Sequence, residues 1–180
     1  MGNKLTFVKT AAAIVIGAVL MFVLNRFAAV SIGVSSTSLQ LGFAILAAFA
    51  AVFGPVAGFL IGFIGHTLTD LSWGTPWWSW IVSSSLFGLT IGAFRKYYNV
   101  EKGGFGIKQC FIFNGVQIGA NVVAWIFFAR TLDLIIYQEP FELVSLQSFV
   151  AAGLNIAVVM VLGSLILFCY SRIKSRPTKT

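Results

Sequence analysis

The chain has 180 residues, of which 58% are hydrophobic and only 9% charged, with a mean hydropathy of +0.94 and a net charge of +7. A soluble domain carries about 25% charged residues, so this composition excludes an ordinary soluble domain and points to a polytopic membrane protein whose apolar runs are broken by short polar or Gly/Pro stretches. The basic residues sit at the ends of those runs rather than along a face, which argues against a nucleic-acid partner. Cys110 and Cys169 lie far apart in separate apolar runs, so neither a disulfide framework nor a metal cluster is expected.

A span needs about 20 residues, and the chain is read as one membrane domain with six, over 7–25, 38–53, 55–71, 77–94, 107–129 and 146–171. The first run follows Lys4 and Lys9 in the manner of a signal peptide, but no cleavage site precedes a soluble region, so a retained helix is expected. Spans two and three meet at Gly54-Pro55, where proline suits a first helical turn and glycine the break before it. Ten of the twelve basic residues fall before or at the start of span one, between spans four and five or at the start of span five, or after span six: Lys4, Lys9, Arg95, Lys96, Lys102, Lys108, Arg172, Lys174, Arg176 and Lys179. The positive-inside rule then places both termini in the cytoplasm of a cell-membrane protein.

Span three carries Gly54, Gly58 and Gly62 at i, i+4 spacing, and the series continues through His66 and Asp70. Span four mirrors it with Trp80, Ser84, Gly88 and Gly92. Small residues let helix backbones approach in lipid, so these two helices are expected to pack tightly on the cytoplasmic side and to open outward. The stretch "FIGHTLTDLSWGTPWWSW" (63–80) joins them and holds the one histidine and four of the five tryptophans. Gln117, Asn121 and Trp125 climb span five at the same spacing, Asn155 lies within span six, and Asn25 and Arg26 end span one. An amide facing lipid would leave its hydrogen-bonding groups unmet, so these side chains are expected to line an outward pocket. The plainer readings are an aromatic belt for the indoles and interhelical bonding for the amides and His66. No P-loop, H-E-x-x-H or Ser/His/Asp order is present, and no acidic residue lies deep in a span. A non-enzymatic binder that draws its energy from other proteins fits these features.

The runs "TSLQLGFAILAAFAAVFGPVAGFLIGFIGHTLTDL" and "WWSWIVSSSLFGLTIGAF" resemble the S-components of energy-coupling factor (ECF) vitamin transporters, most closely the cobalamin-specific subgroup. The resemblance covers nearly the whole chain. It implies an all-α fold of six transmembrane helices and a vitamin pocket roofed by outer loops. It also implies a membrane T-component and two cytoplasmic ATPases as partners, with cobalamin as cargo rather than cofactor. The expected ligand-binding residues are Asn25, Arg26, Gln40, His66, Asp70, Trp73, Trp77, Gln117, Asn121, Trp125 and Asn155. Docking in the family uses an Ala-x-x-x-Ala pattern on helix one, which Ala13 and Gly17 match with a glycine in the second place. Other S-component cargoes (riboflavin, thiamine, pyridoxine or queuosine precursors), a stand-alone small-solute carrier, and an intramembrane enzyme with His66 and Asp70 as acid and base are the competing readings.

Overall fold

The computed structural model describes residues 2–34 and 37–175; Arg176 and Lys179, counted above, lie outside the described residues. Helix α1 (Gly2–Phe27) leads into a loop that folds back as a two-residue antiparallel ladder, β1 (Val30–Ser31) with β2 (Ser38–Leu39). Next come α2 (Gly42–Phe53), α3 (Pro55–Trp73), α4 (Trp78–Ala93) and the single turn α5 (Arg95–Tyr98). Two long continuous helices complete the chain, α6 (Ile107–Tyr137) and α7 (Phe141–Lys174).

Among the described residues three helical segments are long and apolar enough to cross a membrane, Thr6–Phe27, Ile107–Tyr137 and Phe141–Lys174, while Gly42–Phe53 is a shorter apolar helix. Two element boundaries differ from the sequence reading. Residues 38–41 are not helical, because α2 begins where the Asn25 side chain can accept a hydrogen bond from the Gly42 N–H at 2.9 Å. That bond satisfies one of the orphan donors of the first turn from a distant helix. The segment expected to be a long loop, 130–145, is helical except for Gln138–Pro140. Nothing between Arg130 and Tyr137 breaks a helix; the break comes only at Gln138, with φ 52°, two residues before Pro140.

Glycine spacing decides the centre of the fold. The two predicted stripes face each other, since a Cβ on Gly58 would overlap the Gly88 carbonyl and one on Gly62 would stand 2.5 Å from the Ser84 carbonyl oxygen. At Gly92 an added Cβ would meet the Gly54–Pro55 peptide, where Gly54 holds a φ of 95° and Pro55 starts α3. Helices α3 and α4 are thus in backbone contact along half their length, as small residues permit where solvent supplies no hydrophobic drive. The core beside them is built from Met21, Phe43, Leu46, Ile61, Phe87 and Ile91, all essentially buried.

Ala13 and Gly17 do not form an exposed docking face. Both are buried, and a Cβ on Gly17 would stand 2.7 Å from Ile61 Cδ1 and 3.0 Å from Phe49 Cδ1. The reason is that α1 packs its small side against α3 and α2 and turns Val15, Ile16, Val19 and Leu20 outward. Gly17→Leu is therefore expected to destabilise the isolated chain by about 1–3 kcal/mol through overpacking. Thermal unfolding of the purified protein without partners reads this directly, and an unchanged transition would contradict the packing described.

Candidate functional site

Below Gly62 the α3–α4 pair is closed; beyond it the helices part and polar side chains appear. His66, one turn on, is buried, and its Nδ1 lies 2.6 Å from Ser84 Oγ while its Nε2 lies 3.4 Å from Asp70 Oδ1. Asp70 in turn accepts the Trp77 backbone N–H at 2.8 Å, which closes the turn after Gly74, a residue with φ 137°. The i, i+4 spacing of the sequence thus becomes a polar ladder from the glycine seam up to the tryptophan turn.

Around this ladder lies a cavity of about 490 Å³ lined by Gln40, His66, Asp70, Trp73, Thr75, Trp77, Trp80, Glu139, Leu143 and Gln147. Four parts of the chain supply it: the segment after β2, the α3–α4 corner, the α6–α7 turn and the first turns of α7. Three indoles beside two carboxylates, two amides, an imidazole and a hydroxyl suit a flat apolar body fixed by a few polar contacts.

One wall is organised from behind. Asp133 is buried and accepts hydrogen bonds from Trp77 Nε1 at 2.7 Å, Trp80 Nε1 at 2.9 Å and the Ser79 hydroxyl. A buried carboxylate needs such donors to offset its desolvation. Tyr137, one turn further on α6, stacks on Trp77 with ring centroids 4.1 Å apart and accepts the Trp78 N–H at 2.9 Å. Both groups reach the site because α6 winds with i→i+5 hydrogen bonds over Val122–Ala129 and again over Asp133–Tyr137. Such widened turns are rare and gather at functional sites.

Of the expected residues, Gln40, His66, Asp70, Trp73 and Trp77 meet at the cavity. Gln117, Asn121 and Trp125 do not line it. They form a buried chain in which Asn121 Oδ1 accepts Trp125 Nε1 at 3.1 Å and Asn121 Nδ2 donates to Gln117 Oε1 at 3.0 Å. This is the helix-bonding alternative for the amides, and Trp125 backs the site from behind, its ring centroid 5.1 Å from that of Trp80 and 6.5 Å from that of His66. Asn25 is spent on capping α2, Arg26 is exposed over the Phe27 ring, and Asn155 is buried in α7 away from the lining. Asp133, Tyr137, Glu139 and Gln147 were missed. Asp133, Tyr137 and Glu139 fall between the fifth and sixth spans that hydropathy predicts, and no motif in the sequence links them to the tryptophans.

A second cavity of about 350 Å³ lies at the other end of the molecule, lined by Ala51, Arg95, Lys96, Asn99, Val100, Glu101 and Lys102. It is basic where the first is aromatic and acidic. Among the described residues no three His, Cys, Asp or Glu side chains converge as a metal site.

These features define a helical membrane protein with an aromatic, polar-tipped pocket at the end opposite its basic loops. A family model described as "ECF-type riboflavin transporter, S component" matches residues 5–172, and the chain belongs to this S-component family. Family membership makes it a transport subunit rather than an enzyme. It is 42% identical over 175 residues to a UPF0397 protein of Lacticaseibacillus casei, covering 97% of this chain and 94% of the relative. A UPF0397 protein of Clostridium perfringens is 43% identical over 171 residues, covering 94% and 92%, and one of Exiguobacterium is 42% identical over 162 residues, covering 89% and 88%. No solved structure matches the chain significantly. The family description names riboflavin, and none of these matches singles out the cobalamin-specific subgroup.

Proposed function

We propose that this chain captures a vitamin from outside the cell in the aromatic cavity and hands it inward through a T-component driven by two ATPases. In this reading α1, α2, α3, α4, α6 and α7 all span, both termini are cytoplasmic, and the basic end faces the ATPases. The observation that carries it is the cavity itself, placed at the end away from the positive loops and lined by Trp73, Trp77 and Trp80. With Ala13 and Gly17 buried, the exposed side of α1 bearing Val15, Ile16 and Val19 becomes the surface offered to the T-component.

A volume of about 490 Å³ falls within the roughly 300–1,000 Å³ of small-molecule sites, and it suits a flat ring system of riboflavin size. Riboflavin is the cargo this geometry supports best, and the family description agrees with it. Cobalamin, the cargo suggested by the sequence motifs, is several times bulkier and would not be enclosed. It remains the second reading because Trp73 and Trp78, both about half exposed, extend the aromatic surface beyond the cavity.

Purified chain titrated with riboflavin, cobalamin, thiamine and pyridoxine tests the assignment, with saturable binding of one of them expected. Trp73→Ala should weaken that binding at least about 10-fold, as truncating a central aromatic contact does, while leaving thermal stability unchanged because the side chain is exposed. Equal affinity in wild type and variant would remove Trp73 from the site. Vitamin flux through liposomes containing this chain alone would replace the S-component reading with that of a stand-alone carrier.

A further inference from the structure

The chain carries twelve basic and five acidic residues, yet its aromatic cavity inverts that balance. Asp70 and Glu139 line the cavity, and Asp133 stands directly behind it, bonded to the indoles of Trp77 and Trp80. Three of the five acids are thereby gathered at one place, and among the described residues no lysine or arginine lines it. Arg130, the nearest basic residue along α6, points elsewhere, with its guanidinium 5.7 Å from the Phe141 ring centre. His66 is engaged within the wall, its Nδ1 2.6 Å from Ser84 Oγ and its Nε2 3.4 Å from Asp70 Oδ1.

From this lining we infer that the pocket selects its cargo by charge: it takes uncharged or cationic vitamins and rejects forms bearing a phosphate or a free carboxylate. The inference rests on the binding role proposed above and narrows its substrate class. An anionic group entering the cavity loses its water and meets two carboxylates with no lysine or arginine in the lining to offset them, and like charges so placed oppose binding strongly. A neutral polyol or amide instead finds acceptors at Asp70 and Glu139 and both donors and acceptors at Gln40. Riboflavin, thiamine and pyridoxine meet the rule; riboflavin 5′-phosphate, thiamine diphosphate, pyridoxal 5′-phosphate, biotin and folate do not.

The test compares each vitamin with its phosphorylated form on purified wild-type protein in detergent, by direct titration of riboflavin against riboflavin 5′-phosphate, thiamine against thiamine diphosphate, and pyridoxine against pyridoxine 5′-phosphate, with biotin, folate and cobalamin alongside. The expected result is that one uncharged or cationic member binds and its phosphorylated partner binds at least about 10-fold more weakly. Glu139→Lys is expected to shrink that ratio, since it places a cation at the rim without touching the Asp133 bonds. Phosphorylated forms binding as tightly as their parents, or biotin or folate proving the tightest ligand, overturns the charge rule while leaving the binding role intact. Tight binding of cobalamin, whose nucleotide loop carries a phosphodiester, also overturns the charge rule and leaves the binding role intact, whereas failure of every vitamin to bind overturns both.

Discussion

Gly58→Val is expected to yield almost no folded protein. A Cβ at this position overlaps the carbonyl of Gly88, and the same contact seen from α4 places a Cβ of Gly88 on the carbonyl of Gly58. Backbone atoms cannot move aside as a flexible side chain can, so the two helices must separate along the whole seam. Overpacking in a core costs about 1–3 kcal/mol when side chains relax, and this site lies at or above the upper end of that range. The readout is the fraction of monodisperse protein after detergent extraction and its thermal unfolding. Gly115→Ala is the matched control, because nothing lies within 4 Å of its added Cβ, and it should behave as wild type. A Gly58→Val protein as stable as that control would show that the seam is not in backbone contact.

Asp133→Leu is expected to reduce vitamin affinity about 100-fold while the protein stays folded. The substitution strands the Trp77 and Trp80 indole N–H groups and the Ser79 hydroxyl, and each buried donor left unmet costs about 1–3 kcal/mol. The indoles then turn to find other partners, and the cavity wall they form is lost. Asp133→Asn keeps one acceptor oxygen and should fall between the two. Near-ultraviolet circular dichroism of the tryptophans, read beside the binding titration, separates a disordered wall from a general loss of structure. Wild-type affinity in Asp133→Leu would mean that the wall needs no clamp.

Much of this architecture was legible in the sequence because it depends on local spacing. The glycine series from Gly54 to Gly62, the Gly54-Pro55 break and the step from glycine to His66 and Asp70 each follow from helical periodicity, and the helices meet along those faces. Two of the failures share a cause, which is that spacing does not say which neighbour a face meets. Ala13 and Gly17 were read correctly as small, but the small face packs inward on Ile61 rather than outward on a partner. Gln117 and Asn121 were read correctly as facing away from lipid, but they bond to each other and to Trp125 instead of lining the cavity. Asp133 was invisible for a different reason. Hydropathy ends the fifth span near Ala129, whereas the helix itself runs on to Tyr137, and only that continuation carries the carboxylate back to the indoles.

The length of these last two helices has a consequence for where the cargo rests. At 31 and 34 residues, and about 1.5 Å per residue, α6 and α7 measure about 46 and 51 Å, against a hydrocarbon slab about 30 Å thick. In the orientation proposed above, Lys108 near the start of α6, and Arg172 and Lys174 at the end of α7, would hold the basic ends at the headgroups. The surplus of about 15–20 Å therefore stands proud of the slab at the far end, carrying Asp133, Tyr137, Glu139, Leu143 and Gln147 with it. A captured vitamin would sit at headgroup height, still on the watery side of the oil barrier, and its carboxylate neighbours would be spared immersion in hydrocarbon. The glycine seam between α3 and α4 closes beneath that perch. Under the function proposed above, the cargo would cross the barrier by displacement of the subunit as a body, with the vitamin as passenger.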